Sequence, residues 1–221
     1  RSPAIWPALT TALARRLAEQ TAGTSMPKDA VPRTIAVVPA GPRPIPPRFI
    51  TMLEAAFGRC GSTETVRSTN LRKALAGQTD LNSRAATRAL NTLEGRHDFV
   101  LLIADGDLSP WSEKAIRQAD LVLSVGHAQN ETRAPVPLSP HEQLAAQLFK
   151  PRAHRLVLVH ERRARLSGTA HWLVDRNVIS HHHVALTEEG DVDRLVRFVR
   201  EQALGLVACG GGAFCAAHIG L

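Results

Sequence analysis

The chain has 221 residues, 44% hydrophobic and 21% charged, which is enough apolar material for one α/β domain with appended pieces. Its formal net charge of +7 comes from 27 basic against 20 acidic residues, and only Lys28, Lys73, Lys114 and Lys150 among the former are lysines. Aromatic residues make up 4% with no tyrosine and the arginines are scattered, so neither a base-stacking platform nor a nucleic-acid partner is expected, leaving the Arg-rich surface solvated or facing an anionic membrane.

Residues Trp6 to Gln20 place Leu9, Leu13 and Leu17 on one helical stripe with Arg15 and Arg16 away from it. Gly23, Pro27 and Pro32 then mark a linker, so the helix is expected to belong to an upstream domain. Thr34 to Val38 reads as a first strand, followed by the loop Pro39 to Pro47. In a parallel α/β sheet this loop is where glycine amides and a lysine would hold a phosphate. Here it has a single glycine, Gly41, then Pro42, Pro44, Pro46 and Pro47, which lack N–H groups, and no lysine. A nucleotide grip is chemically poor and no cofactor is expected.

Phe49 to Phe57 is predicted as a helix, Glu64 to Val66 as a short strand and Leu81 to Leu93 as a second helix. Phe99 to Ala104 is continuously apolar rather than alternating, which predicts a strand buried on both faces of a parallel sheet. Asp105, Gly106 and Asp107 end it, Ser109-Pro110 opens a short helix, and Leu121 to Val125 forms another buried strand. Ser139 and Glu142 have capping-box spacing ahead of a helix carrying Leu144 and Leu148. Arg155 to His160 predicts a strand, and Thr169 to Val174 a short helix with Trp172. Val178 to Val184 reads as a strand in which only His181 and His183 of the triplet His181-His182-His183 can share a ligand; with no third ligand at useful spacing, no metal site is expected. A helix from Gly190 to near Ala203 follows, patterned by Val192, Leu195, Val196 and Val199. The alternation predicts a Rossmann-like, doubly wound, mostly parallel α/β sheet with helices on both faces.

Cys60, Cys209 and Cys215 are odd in number and lack CxxC spacing, so neither a disulfide framework nor a zinc site is expected, and a reducing, cytoplasmic compartment fits. The opening Arg1-Ser2-Pro3 does not read as a signal peptide. Ala203 to Leu221 is uncharged, but Gly210, Gly211 and Gly212 would break a membrane-spanning helix, so it reads as strand, glycine loop and helix start. Such a loop either lets backbone N–H groups converge on an anion or an acyl-transfer oxyanion, or simply permits a tight turn.

The stretch Asp98 to Gly126 resembles the deviant P-loop ATPases of the partition type, with Asp105 and Asp107 either a remnant of a magnesium-binding strand end or plain loop and cap chemistry. The tail Leu204 to Leu221, with Gly210-Gly211-Gly212 and Ala217-His218-Ile219-Gly220, resembles the opening of a patatin-like phospholipase domain. Cys209, Phe214 and Cys215 depart from that pattern. Leu108 to Trp111, Ile116 to Asp120, and Trp172 ahead of the histidines resemble the middle region of bacterial relatives of neuropathy target esterase. That resemblance implies a trailing helix of a cyclic-nucleotide-binding domain over residues 1–22, a linker over 23–33, a non-catalytic Rossmann-like domain over 34–203, and the first strand, glycine loop and helix start of a patatin-like domain over 204–221. It further implies an oxyanion hole at Gly210, Gly211 and Gly212, a phospholipid or lysophospholipid substrate for the full-length protein, and a cytoplasmic location peripheral to the inner membrane. Patatin-like enzymes use a serine in a Gly-x-Ser-x-Gly elbow and an aspartate in a later Asp-Gly pair. No serine here has glycines on both sides at that spacing, and Asp105-Gly106 precedes the glycine loop, so the chain alone is expected to be inactive. The alternative is a nucleotide-binding partition-type ATPase or a degenerate regulatory relative.

Overall fold

The structure, a computed structural model, describes residues 31–75, 81, 83–128, 134–163 and 167–204. Six strands form one parallel sheet: β1 (Thr34–Ala40), β2 (Thr63–Val66), β3 (Phe99–Ile103), β4 (Leu121–His127), β5 (His154–His160) and β6 (Ser180–Ala185), in spatial order β2-β3-β1-β4-β5-β6. Seven α-helices accompany them among the described residues: α1 (Pro47–Gly58), α2 (Ser68–Ala74), α3 (Arg84–Arg96), α4 (Pro110–Gln118), α5 (Pro140–Leu148), α6 (Thr169–Leu173) and α7 (Glu189–Val199). The expected Rossmann-like α/β class is what the chain adopts.

Continuous apolar runs become central strands because both faces must be covered: every residue of β1, β3 and β5 is buried. Along β1 the side chains alternate between two cores. Ile35 and Val37 join Phe49, Leu53 and Phe57 of α1 and Leu195 and Val199 of α7. Ala36 and Val38 join Ile116 of α4 and Ala145 of α5. A third cluster places Trp111 of α4 with Leu71, Leu90 and Leu102, and its indole Nε1 donates to the Ile103 carbonyl at 2.7 Å, so the buried N–H is satisfied. The start of β1 is pinned by Asp120, whose carboxylate accepts from the N–H groups of Arg33 and Thr34, each at 3.0 Å.

Three differences from the sequence reading have physical reasons. α2 was not expected because its sequence, STNLRKA, buries only Leu71 and so carries no stripe. α3 starts at Arg84, where the Ser83 hydroxyl accepts from Ala86 N–H, while Leu81 stays buried ahead of the helix. α7 stops at Val199 rather than near Ala203: Glu201 takes a left-handed φ of 56°, and the Gln202 N–H closes back on the Arg197 carbonyl at 2.8 Å. Among the described residues no helix is long and apolar enough to cross a membrane.

Candidate functional site

The strand order creates a crevice at the carboxyl ends of the central strands. The chain leaves β1 toward α1 on one face, whereas it leaves β3 and β4 toward α4 and α5 on the other. Adjacent strands whose loops diverge in this way form the usual ligand crevice of an open α/β sheet.

On the β4 side of β1 that crevice is filled by the protein itself. Glu142 sits at the third position of α5, and the predicted capping box forms: the Ser139 hydroxyl accepts from Glu142 N–H at 3.2 Å, while Glu142 Oε2 accepts from Ser139 N–H at 2.9 Å. The Ser139 hydroxyl also donates to the Pro39 carbonyl at 2.8 Å, tying the start of α5 to the end of β1. Glu142 Oε2 further accepts from the Gly41 N–H at 3.3 Å, with Gly41 at φ +68°. The amide that a phosphate would engage in a phosphate-binding loop is thus turned toward an internal carboxylate.

That carboxylate is neutralised by Arg176. Arg176 Nε donates to Glu142 Oε1 at 2.6 Å and Nη2 to Oε2 at 2.9 Å, a two-pronged pair whose side chains are 1% and 0% exposed. Nη1 donates to the carbonyls of Val136 and Trp172, each at 2.8 Å, and Nη2 to that of Pro137 at 3.2 Å, so all five guanidinium N–H groups are used. The guanidinium lies 5.1 Å from the Trp172 ring centroid. The indole packs on Gly126 of β4 so closely that a Cβ there would stand 2.4 Å from Cζ3, and a Cβ on Gly41 would stand 3.1 Å from Cη2.

Asp105, at the end of β3, accepts from the hydroxyls of Ser68 at 2.7 Å and Ser109 at 2.6 Å, one on each oxygen. Its N–H donates to the Ser112 hydroxyl, which in turn donates to the Asp107 carbonyl. Of the two readings of this aspartate, loop and cap chemistry is the one its contacts describe. Beside it a 170 Å³ hollow is lined by Pro39, Pro44, Ile45, Arg67 and Ile103.

The histidines gather at the far side of the sheet. His181 and His183 share a face as expected, with ring centroids 5.7 Å apart, while His182 turns to the other face against Phe198. His183 finds a partner outside the triplet: its Nδ1 lies 2.8 Å from Nε2 of His160 on β5, and its Nε2 lies 3.2 Å from the Thr169 hydroxyl. Burial, and then the neighbouring His160, His181 and Arg194, pull the His183 pKa down to about 4; burial and Arg155 do the same for His182. Burial also lowers that of His160. Among the described residues no three His, Cys, Asp or Glu side chains converge as metal ligands.

Sequence reading missed Arg176 altogether and took Glu142 only as a cap. The capping-box glutamate followed by a buried helix face was the available signal; nothing in the turn after α6 announced its partner. Gly210, Gly211 and Gly212 lie outside the described residues.

The model of the Neuropathy Target Esterase family P-loop like domain matches residues 32–204. The chain belongs to the neuropathy target esterase family. Among curated members, patatin-like phospholipase domain-containing protein 7 of Mus musculus is 27% identical over 217 residues, covering 85% of this chain and 16% of that protein. Neuropathy target esterase sws of Drosophila mojavensis is 30% identical over 168 residues, covering 63% of this chain and 11% of its own length. The neuropathy target esterase relatives are therefore matched over a small share of their length, and this chain corresponds to one region of such a protein. No solved structure matches.

Proposed function

We propose that this chain is the connecting, non-catalytic region of a multidomain patatin-like serine phospholipase or lysophospholipase, built on a nucleotide-binding architecture that no longer takes nucleotide. The observation that carries this reading is the filled crevice: Glu142 at the Gly41 amide, Arg176 behind it, and the Trp172 indole against Gly126. The family match and the printed names of the relatives support the lipase context. In the full-length enzyme, a serine outside these 221 residues attacks a lipid ester while the amides of Gly210, Gly211 and Gly212 stabilise the developing oxyanion. The region described here couples that centre to an upstream cyclic-nucleotide-binding domain at the cytoplasmic face of a membrane.

Two measurements test this together. Calorimetric titration with magnesium and ATP is expected to give no heat of binding, and a saturable heat would restore the partition-type ATPase reading. A lysophospholipid esterase assay is expected to give serine-dependent turnover for the full-length protein and none for this chain; turnover by the chain alone would overturn the non-catalytic assignment.

A further inference from the structure

Beyond the filled crevice, a second concavity of 240 Å³ opens at the carboxyl ends of β5 and β6, among His160, Arg162, Arg163, His183, Asp191 and Arg194. We infer that this cleft binds a phosphate group, the head of a small phosphorylated compound or of a lipid, between the guanidinium groups of Arg162, Arg163 and Arg194. Its place is the first argument, since ligands of open α/β sheets sit outside the carboxyl ends of the strands.

Charge is the second. Three guanidinium groups face one carboxylate, and that carboxylate is already engaged. Asp191 Oδ1 lies 2.9 Å from Arg163 Nη2 and 3.4 Å from Arg194 Nη2, while Oδ2 accepts from the Ala185 N–H at 3.1 Å. Glu161, the other acid nearby, turns to His127 at 3.1 Å. Arg162 makes no hydrogen bond or ion pair among the described residues. Two positive charges are left over, which complements a phosphate dianion better than a single carboxylate.

Preorganisation is the third. Arg194 is steadied by its Nη2 donating to the His183 carbonyl at 3.0 Å, and the His160–His183 pair forms a wall whose mutual hydrogen bond needs one of the two facing ring nitrogens bare, so both rings cannot be protonated at once. Guanidinium forks match the spacing of phosphate oxygens, and holding one fork in place lowers the cost of capture. The inference stands apart from the lipase reading, because phosphate capture would remain if the esterase assay failed.

The test is calorimetry of the full chain with inorganic phosphate at low salt, beside co-sedimentation with phosphatidic acid vesicles. Saturable phosphate binding is expected, weakened about tenfold by Arg162→Ala, a side chain that ties nothing together, and also by Arg194→Gln. If free phosphate also displaces the vesicles, the source is a lipid headgroup; if phosphate binds and vesicles do not, it is a soluble phosphorylated compound. No saturable heat with phosphate, equal binding by Arg162→Ala, or vesicle binding without phosphate binding would each overturn the inference.

Discussion

Two places at the same end of one sheet handle charge in opposite ways. In the central crevice Glu142 and Arg176 face each other with every guanidinium N–H used and an indole laid over them. In the cleft beside β6, the carboxylate of Asp191 is shared by two arginines and Arg162 has no partner among the described residues. A polar cluster that is complete in itself acts as a structural rivet, whereas one with charge to spare invites something from outside. The fold alone predicts neither outcome, since both places sit where α/β sheets bind ligands.

The largest expected effect comes from opening the rivet. Glu142→Gln leaves the Arg176 guanidinium buried against a neutral partner, and Arg176→Met leaves the carboxylate alone; each is expected to cost about 3 to 5 kcal/mol in urea unfolding. A cost below about 1 kcal/mol would mean that the two clusters differ less than their geometry says. Next comes Gly126→Ala, whose methyl would meet the Trp172 ring and should destabilise by roughly 1 to 3 kcal/mol, read as a lowered melting temperature.

The smallest effect belongs to the other side of the sheet and depends on pH. His182 and His183 titrate near 4 when folded and near 6.5 when unfolded, so the unfolded chain binds the extra protons first. Stability is therefore expected to be fully present above about pH 6.5 and to decline as the pH falls from there toward 4, by on the order of 1 kcal/mol per histidine once solvent screening of these partly exposed rings is allowed for. Urea midpoints at pH 7 and pH 5 measure this decline. His183→Gln should flatten it, and an unchanged slope would show that the His160–His183 contact does not govern the titration.

Much of the architecture was legible because burial on two faces writes itself as unbroken runs such as Phe99 to Ala104 and Leu121 to Val125. The capping box at Ser139 and Glu142 was legible for a similar reason: both halves of the device lie within four residues. The partnerships that define the two clusters were not. Arg176 follows a five-residue helix and meets a glutamate 34 positions earlier, and His183 meets His160 across neighbouring strands. Such pairings are set by strand order, which periodicity does not encode. The loop Pro39 to Pro47 announced that a phosphate would lack donors, but not that the single glycine amide would be given to a side chain.

The contact between the Gly41 amide and Glu142 has a consequence for control. Proteins that clasp a nucleoside triphosphate change shape when that guest arrives or is hydrolysed, and so report on the energy supply of the cell. A clasp closed by a carboxylate side chain of its own has no guest to lose. On the proposed reading it would hold one shape at every nucleotide concentration, a fixed bracket rather than a timer, and a signal crossing this region would have to travel as rigid movement.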